Sequence, residues 1–80
     1  MPIDLNTASH ETLIKVLIVD PINENYPDEA HLLPDAAFLE RRLDVLKQKH
    51  GGEVVKAMIS LIHEAEEAIG VRVPSFHGRR

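Results

Sequence analysis

DAAFLERRLDVLKQKHGGEVVKAMISLIHEAEEAIG, residues 35–70, decides the fold. In its first half Leu39, Leu43 and Leu46 recur at i, i+4 and i+7, the spacing of one helical face. Phe38 and Val45 form a second, narrower stripe about 100° away. Asp35 stands where an N-cap is needed, its carboxylate able to accept an orphan first-turn amide. Gly51-Gly52 then stops the helix, because glycine enters the left-handed C-cap conformation without steric penalty. A helix over about 35–50 follows.

The second half is more apolar. Val55, Met58, Ile62, Ala65 and Ile69 keep a strict 3-4-3-4 spacing, flanked by Val54, Leu61 and Ala68 on one side and Ile59 on the other. At 100° per residue the apolar arc covers roughly 180°, wider than the ~100° stripe of an ordinary surface helix. Glu53, Lys56, Ser60, His63, Glu64 and Glu67 make a clean polar face. This predicts a helix over about 53–69, ended by Gly70. A two-glycine connection favours an antiparallel hairpin of the two helices. Its expected layers are Leu46 with Val55, Leu43 with Met58, Leu39 with Ile62, and Ala36 with Ala65.

Upstream, a first helix is expected over about 9–19. Asn6, Thr7 and Ser9 are its candidate N-caps, and Leu13, Ile14, Leu17 and Ile18 its buried face. Asp20-Pro21 should end it, since the residue before a proline is pushed out of the α region. The β-branched residues Val16, Ile18 and Val19 would also suit a short buried strand. Residues 20–34, DPINENYPDEAHLLP, read as turns with one helical turn over 27–33, and Tyr26, Leu32 and Leu33 are expected to plug the core edge. The tail, 71–80, is expected to lie extended, with Val71, Val73 or Phe76 as anchors. The fold class is therefore all-α: a single three-helix domain spanning 1–80, with a C-terminal antiparallel hairpin and an extended tail.

Eighty residues make one domain near the small end of what folds alone. Small domains commonly draw extra stability from disulfides, metal or a partner. Cysteine is absent, which removes disulfides, thiolate nucleophiles and Cys-ligated metal from consideration. Without an apolar run near the ~20 residues that span a bilayer, or a secretory signal pattern, the expected location is cytoplasmic. Net charge is −4, distributed as −5 over 1–34, +1 over 35–51, −3 over 52–70 and +3 over 71–80. An acidic body argues against broad binding to phosphate backbones.

Two short stretches resemble parts of known families. Asp28-Glu29-Ala30-His31 resembles the helicase box in which acidic residues hold magnesium beside a nucleotide. That box works with a P-loop, G-x-x-x-x-G-K-[ST], and the chain has none. Ile3-Asp4-Leu5-Asn6-Thr7-Ala8-Ser9, followed by Leu13, resembles the opening of competence-type helix-hairpin-helix DNA-binding domains. In those domains a glycine-rich hairpin follows the first helix and grips a phosphate. Here Asp20-Pro21-Ile22-Asn23 stands in that place and lacks the glycines.

Other candidate chemistry is sparse. His63 and Glu67 stand at i, i+4 with Glu64 beside them, a spacing able to hold a divalent metal, but the trio projects away from the apolar seam. Ser9, Ser60 and Ser75 show no histidine–acid arrangement and no G-x-S-x-G elbow occurs. Glu66 projects into the apolar arc and Arg42 between the two apolar stripes of its helix, which makes both candidate interface residues. The apolar half-cylinder of the last helix exceeds what one hairpin covers, so Val54, Leu61 and Ala68 are expected to meet a partner. The leading functional expectation is a helical protein-interaction module, a regulator, inhibitor or adaptor that is not an enzyme, needs no cofactor and self-associates as a homodimer. One alternative is a nucleic-acid-binding regulator using Arg72, Arg79 and Arg80. The other is a small subunit of a metal-dependent enzyme using His63, Glu64 and Glu67.

Overall fold

A computed structural model describes residues 7–72 and is all-α there, with no strand among the described residues. The chain runs as α1 (His10–Ile14), a π-helical turn (Lys15–Val19), α2 (Asp20–Asn25), a 3-10 turn (Ala30–Leu32), α3 (Ala36–Lys49) and α4 (Val54–Ile69). Val16, Ile18 and Val19 are thus helical, as expected, and the alternative of a short buried strand is excluded.

The first helix starts where its capping residues put it. Ser9 has extended backbone, and its hydroxyl accepts from the Thr12 amide at 3.2 Å. The helix does not stop at Asp20-Pro21, and this corrects the expected end near Val19. α1, the π-turn and α2 run on without a break, and Val19 and Asp20 both keep right-handed helical backbone. Proline cannot donate to the carbonyl four residues back, and its ring crowds that carbonyl. The π-turn opens the helix here, with the Asp20 amide reaching the Lys15 carbonyl five residues back. The same five-residue spacing brings Lys15 Nζ within 3.1 Å of an Asp20 carboxylate oxygen. Side-chain amides then tie the continuation down: Asn23 donates to the Val19 carbonyl and Asn25 to the Pro21 carbonyl, each at 2.9 Å. The wide turn also advances fewer degrees per residue, which keeps Ile14, Ile18 and Ile22 in register; all three are buried.

α3 and α4 match the sequence reading closely. Asp35 caps α3 by accepting from the Phe38 amide at 2.9 Å. Gly51, at φ +66°, closes the end, and the Gly52 amide bonds the Lys47 carbonyl at 2.7 Å. Gly70, at φ +77°, ends α4. Two cross-helix contacts, His50 with Ser60 and Arg42 with Glu64, pair later residues of α3 with earlier residues of α4.

The core is one cluster drawn from every long element: Leu13, Ile14, Ile18 and Ile22 from the first helix, Leu39, Leu43 and Leu46 from α3, and Ala57, Met58, Leu61, Ile62, Ala65 and Ile69 from α4. Tyr26 and Leu33 pack partly against it as expected, but Leu32 points outward. Val55 is also exposed, so the expected Leu46–Val55 layer does not form. The buried arc of α4 instead runs through Ala57, Met58, Leu61, Ile62 and Ala65. A polar link joins the first helix to α3: His10 Nδ1 lies 3.2 Å from Asp44 and its Nε2 lies 3.4 Å from Lys47 Nζ. Among the described residues, no helix is long and apolar enough to cross a membrane.

Candidate functional site

The structure places the expected interface residues in different environments. Leu61 is only 1% exposed, so the expectation that it waits for a partner is corrected: the domain's own core covers it. Val54 is partly buried and Ala68 is exposed. Glu66 is 6% exposed, with His63 Nδ1 at 3.4 Å from its carboxylate, which makes it part of the folded domain rather than an open contact.

Arg42 is the candidate that acquires a defined partner. Its Nε donates to Glu64 Oε1 at 2.9 Å and its Nη2 to Oε2 at 2.8 Å, a bidentate pair linking α3 to α4. The guanidinium holds the Glu64 carboxylate below its ordinary range, chiefly by hydrogen bonding; partial burial opposes this and the charges of Arg42 and Lys49 add to it. Reciprocally, Glu64 raises Arg42, so both groups stay charged.

This pair separates two open apolar depressions that share Phe38. One, of about 250 Å³, is lined by Pro34, Phe38, Leu39, Leu61, Glu64, Ala65 and Ala68. The other, of about 240 Å³, is lined by Phe38, Arg41, Arg42 and Val45. Phe38 is 49% exposed and Val45 is 45% exposed, so the second stripe read from the sequence faces outward. Phe38 projects from the first turn of α3 and Val45 from its middle, and the helix is anchored by the buried Leu39, Leu43 and Leu46. The stripe was legible in the sequence. Pro34, four residues before Phe38, adjoins it through the local chain, whereas Ala68, already a candidate contact residue, reaches the same depression only by the packing of α4 on α3.

The residues with chemical potential are engaged elsewhere. Glu64 belongs to Arg42 and His63 faces Glu66, which divides the trio proposed for metal binding. Among the described residues, no group of three His, Asp or Glu side chains is placed to hold a metal ion. His50 Nε2 lies 3.2 Å from Ser60 Oγ, a serine–histidine contact that the sequence did not signal. Among the described residues no carboxylate bonds the other ring nitrogen, so nothing orients the ring as a general base. The contact ties α3 to α4 near their connection. Arg72 is exposed beside a depression shared with His63, Glu66, Glu67 and Val71; Arg79 and Arg80 lie outside the described residues, as do Asn6, Val73 and Phe76.

Compared with known proteins, the chain matches no family model, no curated protein and no solved structure.

Proposed function

We propose that the protein is a helical interaction module whose outer α3 face, with the adjoining edge of α4, binds another protein. The observation that carries this reading is the pair of half-exposed apolar side chains, Phe38 and Val45, beside two shallow apolar depressions that share Phe38, one on α3 and one between α3 and α4. Small soluble domains rarely leave a contiguous apolar face open, and aromatic residues set among arginines are typical of protein contact centres. Shallow open depressions also suit a protein surface better than a buried small substrate.

Affinity enrichment with the wild type and with Phe38→Asp and Val45→Asp tests this reading. Neither side chain belongs to the buried core, so circular dichroism should show both variants folded. Specific partners recovered with the wild type should be lost with both variants; unchanged recovery refutes the assignment of this face.

Self-association is the companion reading, and it rests on a different surface. Val55 and Ile59, four residues apart on α4, are exposed apolar residues on one helical stripe. Ile59 and Ala68 are nine residues apart, which puts them on opposite sides of α4 at 100° per residue. A twofold contact through Val55 and Ile59 would therefore leave the α3 face open. Sedimentation of the wild type and Ile59→Asp at micromolar concentration decides it. A dimer dissociated by the substitution supports the homodimer, and monomer-sized species throughout remove it.

A further inference from the structure

The outer face of α3 has a charge pattern as well as an apolar one, and the two together specify what fits it. Phe38 and Val45 are seven residues apart, two helical turns, or about 10 Å along the axis. Arg41 lines the same depression as both of them. Lys49 lies eleven residues beyond Phe38, three turns on and nearly in line with it. Among the described residues neither Arg41 nor Lys49 has an ion-pair partner within 4.0 Å, whereas Arg42 is held by Glu64. A chain of net charge −4 therefore presents on α3 an apolar strip bordered by two cations, Arg41 and Lys49, that are in no close ion pair among the described residues.

We propose that this strip docks an acidic amphipathic helix of a partner protein, with two apolar residues seven apart on Phe38 and Val45 and carboxylates on Arg41 and Lys49. The proposal rests on the interaction reading above and names the partner's chemistry. A helix laid on a helix reads out i and i+7 anchors, and charges at the rim set orientation and partner choice. Other occupants fit less well. A second copy laid antiparallel across Phe38 and Val45 would have its twofold axis between Arg41 and Arg42, setting like charges face to face. The chain's own tail carries Arg72, Arg79 and Arg80 and has the same sign as the strip. A nucleic-acid backbone would gain nothing from the two apolar anchors.

The test uses the full isotope-labelled chain and two synthetic helical peptides. Both carry leucine at i and i+7; one has glutamate at the flanking positions and the other lysine. The glutamate peptide should shift the amide signals of Phe38, Arg41, Val45 and Lys49. Its affinity should fall about tenfold in the doubly substituted Arg41→Glu, Lys49→Glu chain and weaken with salt, as rim charge pairs do. The lysine peptide should instead prefer the doubly substituted chain. Equal binding of both peptides, binding on another face, or no binding by either overturns the proposal. So does a dimer with protected α3 amides, or binding of duplex DNA or anionic vesicles with the same dependence on Arg41 and Lys49. If neither peptide binds while Phe38→Asp still abolishes capture of native partners, only the partner's chemistry is wrong and the interaction reading stands.

Discussion

Arg42 and Glu64, twenty-two residues apart in the chain, meet in a two-pronged hydrogen bond that fastens α3 to α4 beside the exposed Phe38. The pair stands between the two apolar hollows, Arg42 lining one and Glu64 the other.

The same pair makes stability depend on acid in a defined direction. Folded Glu64 has a lowered pKa, so below the ordinary glutamate value of about 4.3 the unfolded chain binds a proton that the folded chain resists. The stabilisation is complete above that value and is lost as pH falls through the lower folded value. Glu64→Gln should be less stable than the wild type near neutrality, and the difference should shrink as the pH falls below 4. Urea titrations at pH 7, 4 and 3 check this. A constant difference across the series would show that the pair is not coupled to folding.

Helix beyond Pro21 can be detected directly. The Asp20 amide bonds Lys15, and the Tyr26 amide bonds the Ile22 carbonyl at 2.7 Å. Amide hydrogen exchange should therefore show protection continuing past Asp20 to Tyr26, with a gap at Pro21, which has no amide. Coil-like exchange from Ile22 onward would restore the helix end expected from the sequence.

Legibility in the sequence followed how local each cause was. Asp35, Gly51 and Gly70 act within a single turn, so the limits of α3 and α4 could be read from residue types alone. The continuation through Pro21 could not. It depends on a π-turn that pattern rules for α-helices do not contain, and on Ile22 finding a place in the core. The burial of Leu61 and the exposure of Val55 were misassigned for a related reason. An apolar arc on α4 states how much surface needs cover, but the packing of the remaining elements decides which edge receives it. At the candidate face, Phe38, Val45 and Arg42 were all visible as a stripe and an intervening cation. Glu64 as the partner of Arg42, and Ala68 as a neighbour of Phe38, exist only once the helices are packed.

The cap at Asp35 offers a clean measure of how much α3 relies on its first turn. Asp35→Ala leaves the Phe38 amide without its 2.9 Å acceptor and should cost about 1 kcal/mol. For a domain this size that is a fall in melting temperature of roughly 4–8 °C. Asp35→Asn keeps an acceptor oxygen and should recover most of the loss. Thermal melts of the two variants separate capping from general surface charge. Equal destabilisation by both would mean that the negative charge at the helix start matters more than the hydrogen bond.

Leu61→Glu discriminates between the surface expected from the sequence and the core found in the fold. Were Leu61 part of an open dimer contact, the substitution would yield a folded monomer. At 1% exposure it instead places a carboxylate among Met58, Ile62 and Ala65 in the buried cluster. Truncating a buried leucine to alanine already costs roughly 2–5 kcal/mol, and an unpartnered charge adds to that. Total stability for a domain of this length is on the order of 4–12 kcal/mol, so the variant should be largely unfolded or strongly destabilised. Ala68→Glu, two turns along on the exposed edge, should keep the helical spectrum and cooperative melt of the wild type. Circular dichroism and sedimentation on both variants decide the matter. A well-folded Leu61→Glu monomer with wild-type melting would mean that this side chain is not in the core.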